Sequence, residues 1–223
     1  MDKQNSIQIH MFHAQPFGLK ELQFNSLAFS WSPSPFAVAA ALKSITNPAY
    51  QEFQFYTAIA KNLPAGIDMG CSLRYGNVSI PGYGDAGSFM VDLGLQCDIS
   101  SHIRYGFSAS NVNYARLGTS REKIPQVLRT GVMITAGENA MLCMDLVKDS
   151  QFPLDIRAGA EYHVFDSLSL RFGSAVYPSR WSAGFTLTIW AWAMDYAYKS
   201  HSDLGITHLF SIQFDWRIEN DEN

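Results

Sequence analysis

From residue 190 to residue 199 the chain reads Trp-Ala-Trp-Ala-Met-Asp-Tyr-Ala-Tyr-Lys. Side chains of an extended segment alternate between two faces. Trp190, Trp192, Met194, Tyr196 and Tyr198 therefore share one face, and Ala191, Ala193, Asp195, Ala197 and Lys199 share the other. A face that bulky and apolar requires lipid or a thick core, whereas the small and charged face can line water. This is the alternation expected of a transmembrane β-barrel strand.

The same period of two recurs along most of the chain. Ile67, Met69, Cys71, Leu73 and Tyr75 oppose Asp68, Gly70, Ser72, Arg74 and Gly76, and Phe89, Val91, Leu93 and Leu95 oppose Met90, Asp92, Gly94 and Gln96. Ile103, Tyr105 and Phe107 alternate with Arg104, Gly106 and Ser108, and Leu154, Ile156, Ala158, Ala160 and Tyr162 with Asp155, Arg157, Gly159, Glu161 and His163. Phe185, Leu187 and Ile189, and later Phe210, Ile212, Phe214 and Trp216, repeat it against Thr, Ser, Gln and Asp. No segment shows a helical stripe.

Breaks at Gly, Pro, Asn, Asp and Ser clusters divide the chain into about fourteen strands. They start near Ser6, Leu19, Pro35, Tyr50, Gly66, Ala86, His102, Gln126, Ala140, Pro153, Leu168, Arg180, Ala191 and Leu204. In the segment 22–31 the phase slips around Asn25 and Ser26, which predicts a bulge. The predicted architecture is all-β: one antiparallel up-and-down transmembrane barrel over residues 1–223. The odd-numbered connections (14–18, 46–48, 81–85, 112–125, 149–152, 176–179, 200–203) are mostly longer than the even-numbered ones. Short periplasmic turns opposite longer extracellular loops are the habit of bacterial barrels, and an even strand number places both termini on the short-turn side.

Composition permits this reading. The 223 residues are 47% hydrophobic, 13% aromatic and 16% charged, with a formal net charge of −4, which gives no basic footprint for nucleic acid. The mean hydropathy of −0.05 is what alternating strands produce, and no run of about 18 apolar residues exists to form a membrane helix. A soluble β-barrel or sandwich that acts as a binding module is the alternative. It would expose Trp, Phe and Ile in patches larger than a soluble monomer tolerates. Residues 1–5 are polar, without the apolar stretch of a signal peptide, so an outer-membrane location implies a mature or truncated form.

Little in the chain suggests chemistry. Cys71, Cys97 and Cys143 have no close-spaced pairing and read as small apolar strand residues. Residues 82–87 fit G-x-G-x-x-G but precede a strand pattern rather than a helix, so they read as a loop and not a phosphate site. His10 and His13 fall on opposite strand faces, and no nucleophile-elbow spacing appears. No catalytic, cofactor-binding or metal-binding residue is assigned, and the protein is read as a non-enzyme. The notable constellation is the charged set on the inward face: Asp68, Arg74, Asp92, Arg104, Arg129, Asp145, Asp155, Arg157, Glu161, Arg171, Asp195 and Asp215. Interleaved signs favour a lattice of cross-strand pairs that stiffens the wall. The functional reading of the same residues is a permeation path or ligand cavity.

The C-terminal half carries an ordered motif series. It runs Ile124-Pro125-Gln126-Val127-Leu128-Arg129-Thr130-Gly131, Gly159-Ala160-Glu161-Tyr162, Leu170-Arg171-Phe172-Gly173, Asp195-Tyr196-Ala197 and Leu204-Gly205-Ile206-Thr207-His208. This series resembles the PorV/PorQ group of outer-membrane proteins, within the FadL-like barrels. Upstream, Pro16-Phe17-Gly18-Leu19 sits where members of that group open their second strand. The resemblance implies a fourteen-strand barrel in the outer membrane of a Gram-negative bacterium, in contact with outer-membrane lipid. Two roles follow from it: uptake of hydrophobic compounds, as in FadL-like members, or association with type IX secretion components, as in the PorV branch. Members usually carry a signal peptide and an N-terminal plug with an Asn-Pro-Ala motif. Here Asn47-Pro48-Ala49 falls in a mid-chain hairpin, so both segments are expected to be missing and no substrate-binding residue carries over.

Overall fold

The computed structural model describes residues 5–118 and 122–218. The first seven strands are β1 (Asn5–Gln15), β2 (Gln23–Trp31), β3 (Phe36–Asn47), β4 (Tyr50–Leu63), β5 (Ile67–Ile80), β6 (Gly84–Ser100) and β7 (Ile103–Ser110). A small hairpin follows, β8 (Arg116–Leu117) with β9 (Glu122–Lys123). The rest are β10 (Val127–Ala136), β11 (Ala140–Asp149), β12 (Asp155–Phe165), β13 (Leu168–Ala175), β14 (Arg180–Ile189), β15 (Trp192–His201) and β16 (Gly205–Ile218). All but β8 and β9 form a closed antiparallel barrel of 14 strands, sealed by β1 against β16. Apart from β2, every barrel strand begins within two residues of the position read from the sequence.

Buried hydrophobic side chains among the described residues are confined to Ala14, Met90, Val147 and Ala175. The large apolar residues lie on the outside instead: Leu73 is 48% exposed, Leu93 49% and Ile212 45%. A water-soluble barrel would bury such residues in a core, so the surroundings of this cylinder are lipid. The soluble binding module is thereby set aside.

Aromatic residues bracket the apolar band. At the rim that carries both chain ends, the terminal rim, Trp192 meets Phe214 with ring centroids 4.8 Å apart. Lys61 there lies 5.3 Å over the Phe36 ring, an apolar stem with its ammonium carried toward the headgroups. Toward the distal rim, Trp181 packs on Tyr198 and Tyr75 on Phe89, each at 4.9 Å. Such girdles mark the two interfaces of an outer-membrane barrel.

The phase slip read at Asn25 and Ser26 is not a bulge. β2 pairs with β1 in unbroken register from Ile7↔Trp31 to Ala14↔Phe24. The outward positions simply turn polar above the lipid band, where His13 Nδ1 meets Asn25 Oδ1 at 2.8 Å. Register shifts occur instead at 98–100 and 163–165, beside the terminal-rim turns 101–102 and 166–167. Trp190 also departs from the expected face: it sits in the turn 190–191 at φ 55°, 88% exposed. Pro16–Gly18 forms a separate turn before β2 rather than its opening. Of the glycines at 82–87, Gly82 lies in the turn at φ +83° and Gly84 already begins β6.

The connections differ in length less than expected, and 48–49 on the distal rim is as short as any turn. Two distal segments stand out, 16–22 and 111–126. The second has a structural task. β6 runs past β7, whose last partner on it is Leu93, and leaves unpaired backbone that would be an exposed edge. Val112 N–H donates to Val91 O at 2.9 Å, while the Asn113 amide accepts from Val91 N–H at 2.9 Å and donates to Phe89 O at 3.0 Å. Asn111, fully buried, fastens this loop inward: its backbone N–H donates to Asp92 and its amide nitrogen to Ile124 O, each at 2.8 Å.

Candidate functional site: the barrel lumen

The register puts all twelve charged candidates on the face opposite the apolar band, toward the lumen. They are not one site. Nearest the terminal rim, Arg104 Nε donates to Asp98 at 2.5 Å, and Asp68 accepts from Asn62 at 2.6 Å. Asp215 accepts from Gln8 at 3.2 Å. A second network spans β12 to β16. Arg171 joins Glu161 at 2.6 Å to Asp195 at 3.2 Å, and Asp195 also accepts from Thr186 at 2.5 Å and Ser211 at 2.6 Å. These groups lock neighbouring strands together.

A third set covers the β3–β6 wall. Tyr50 Oη donates to Glu52 at 2.7 Å, Gln54 donates to Glu52 at 2.5 Å, and the Tyr56 hydroxyl donates to Gln54. Lys43 lies 4.6 Å over the Tyr56 ring, and Arg74 reaches Asp92 at 3.3 Å. Tyr50 and Tyr56 thus flank Glu52 and Gln54 along the inner side of β4.

The fourth set differs in sign. Arg129, Arg157 and Arg180 converge near the distal rim between the loops 150–154 and 176–179. Asp155, 7% exposed, accepts from Arg157 Nε at 2.7 Å, Arg180 Nη2 at 3.0 Å and the Tyr177 backbone N–H at 2.9 Å. Among the described residues, the Arg129 guanidinium donates to a neutral oxygen alone, Ser110 Oγ at 3.4 Å. The Lys199 face neighbours this group through its partner Ser182, two residues from Arg180. Asp145 pairs in register with Gly131 and Arg157, and its Oδ1 occupies the place a side chain at Gly131 would need.

Arg180 and Lys199 were outside the sequence-derived charge set. Lys199 belongs to the small-residue face of the 190–199 alternation, and Arg180 is in phase with Ser182, Gly184 and Thr186 on β14, so the period of two already carried the signal. Glu52 and Lys43 were similarly legible from the alternation on β4 and β3. Between these clusters the wall is lowered by Gly70, Gly94, Gly106 and Gly131, which border a concavity of about 530 Å³. Cys143 and Asp145 are exposed in it. Among the described residues no group of three His, Cys, Asp or Glu is arranged to hold a metal ion.

A closed cylinder with an apolar belt, aromatic girdles and a polar interior defines a transmembrane β-barrel of the outer-membrane type. Solved structures share this fold. The Pseudomonas putida toluene transporter TodX matches with a TM-score of 0.66 at 10% identity, covering 96% of this chain and 89% of that one. A Pseudomonas aeruginosa FadL homologue matches with a TM-score of 0.65 at 10% identity, covering 97% and 91%. The KdgM porin, also solved in complex with disordered oligogalacturonate, matches at 8% identity, with a TM-score of 0.55 for the porin alone over 94% and 99%. No family model and no curated protein matches the chain.

Proposed function

We propose that the protein is a non-enzymatic outer-membrane channel that passes small organic solutes across the lipid band. The observation that carries this reading is the contrast between the two faces of one sheet. Outside, Leu73, Leu93 and Ile212 meet lipid; inside, Asp145, Cys143 and Arg129 are exposed on a glycine-lowered wall. TodX is described as a toluene transporter and KdgM as a porin. Both roles are compatible with a barrel of this size, and the likeness to TodX and the FadL homologue supports hydrophobic compounds among the solutes. The distal rim, with the longer loops, faces outward from the cell and the chain ends face the periplasm.

Purified protein reconstituted in planar bilayers tests the channel. Stable conductance is expected, together with uptake of small aromatic solutes into proteoliposomes. A folded, heat-modifiable barrel with neither activity would overturn it. The ordered motifs from Ile124 to His208 that resemble the PorV/PorQ group support a second reading, a barrel associated with protein secretion. Crosslinked recovery of type IX secretion components with the barrel from native membranes would favour it.

A further inference from the structure

The lumen is not electrostatically uniform, and among the described residues Arg129, Arg157 and Arg180 gather at a cavity. About 450 Å³ of space at the distal mouth is lined by Arg129, Arg157 and Arg180. Phe152, Pro153 and Tyr177 line it too. This lies within the range of sites for small organic ligands. Asp149 and Asp155 also line it, so three guanidiniums face two carboxylates. Asp149 caps its own turn by accepting from Gln151 N–H at 2.8 Å. Asp155 already serves two guanidiniums and the Tyr177 amide.

Buried and fully engaged, Asp155 acts as a clamp. It takes Arg157 through Nε, which leaves the terminal nitrogens of that side chain for the cavity, and Arg157 is 41% exposed. Arg129 faces the same space, and among the described residues only Ser110 stands at hydrogen-bond distance from it. A guanidinium held in place as that of Arg157 is loses little freedom on binding, and the planar fork of either arginine matches a carboxylate. The apolar part of the lining, Phe152, Pro153 and Tyr177, suits a flat hydrocarbon body.

We propose that the distal mouth is a binding site for a compact organic carboxylate with a planar apolar body, its charge on Arg129 and Arg157 and its ring against Phe152 and Tyr177. The proposal rests on the channel reading and adds to it the chemical class that the entrance selects. Because Arg129 and Arg157 face the lumen, the ligand is a dissolved solute rather than a lipid headgroup.

The test uses the folded barrel in detergent, titrated calorimetrically with 2-naphthoate and with neutral 2-naphthalenemethanol, and the same pair in proteoliposome uptake. Naphthoate is expected to bind at least about tenfold tighter than the alcohol, and Arg129→Gln to weaken it roughly ten- to hundredfold. Arg104→Gln, whose arginine is paired with Asp98 at the opposite rim, is expected to leave binding unchanged and so separates the site from general lumen charge. Equal affinity for both probes, or equal loss in the two variants, would overturn the site. Selective binding without uptake would keep the site and overturn the channel; uptake of both probes without selective binding would do the reverse.

Discussion

Asp155 and Arg180 meet at 3.0 Å although a whole strand, β13, separates the strands that carry them. The contact is possible because Arg157 and Arg180 both pair in register with Ala175, whose short side chain leaves the inner surface open between them. A carboxylate 7% exposed thereby fastens three consecutive strands and the 176–179 loop through the Tyr177 amide.

Removing that charge is expected to be costly. Asp155→Ala leaves two guanidiniums beside each other without their shared counter-ion; since these are 41% and 18% exposed, the lost charge-assisted bonds cost about 1–3 kcal/mol. Urea titration of the barrel refolded in vesicles should show the loss. Arg180→Ala, which leaves Asp155 its bond from Arg157, should cost less. Equal and small effects for both would mean that the clamp adds no stability.

Gly131 is expected to be intolerant of any side chain. A Cβ there would fall 1.9 Å from Asp145 Oδ1 and 2.9 Å from the Met144 carbonyl oxygen. Gly131→Ala must push the Asp145 side chain away, at a cost of about 1–3 kcal/mol for overpacking. Asp145→Ala in the same chain should recover part of the loss but not all of it, since the backbone contact remains. A double-mutant cycle measures the coupling, and strict additivity would contradict the geometry.

The 111–126 segment is expected to loosen when Asn111 is changed. This residue stands at φ 55° with its amide spent on Ile124 O and on Ala115 N–H. Asn111→Ala removes both bonds and places a less tolerant residue at positive φ, for about 1–3 kcal/mol. Trypsin should then cut near Arg116 or Lys123 faster than in the parent, while β1 to β7 stay intact. Performed on whole cells, the same digestion reports orientation: cleavage from outside supports a distal rim facing the exterior, and protection until lysis contradicts it.

The strands were legible in the sequence because lipid on one side and water on the other impose their preference residue by residue, independent of which strands become neighbours. Tyr50, Ala140, Leu168 and Arg180 begin strands where the alternation puts them. The reading failed where one of the two solvents is missing. Asn25 lies above the lipid band, so its polarity carries no phase information, and Trp190 is apolar because a turn at the interface also favours a large aromatic. The arginine cluster was illegible for another reason. Residues 129, 157 and 180 come from three strands whose stagger decides which of them share a level, and a period of two says only that they share a face. Interleaved signs along the chain thus concealed a local excess of one sign in space.

The most direct check on the faces lies in β15. Met194 is outward, 42% exposed, between Leu187 and Ile212, whereas Asp195 is inward and holds Thr186, Ser211 and Arg171. Met194→Arg should therefore destabilise the barrel in bilayers by roughly 2–4 kcal/mol if it lies at the midplane. Asp195→Asn retains an acceptor for one hydroxyl and releases an Arg171 that is already 48% exposed, so about 1 kcal/mol is expected. Spin labels placed singly from Trp192 to His201 should alternate between lipid and aqueous quenchers: 192, 194, 196 and 198 in lipid, 193, 195, 197 and 199 in water. A period near 3.6, or aqueous exposure throughout, would contradict the register of β15 and with it the assignment of the inner wall.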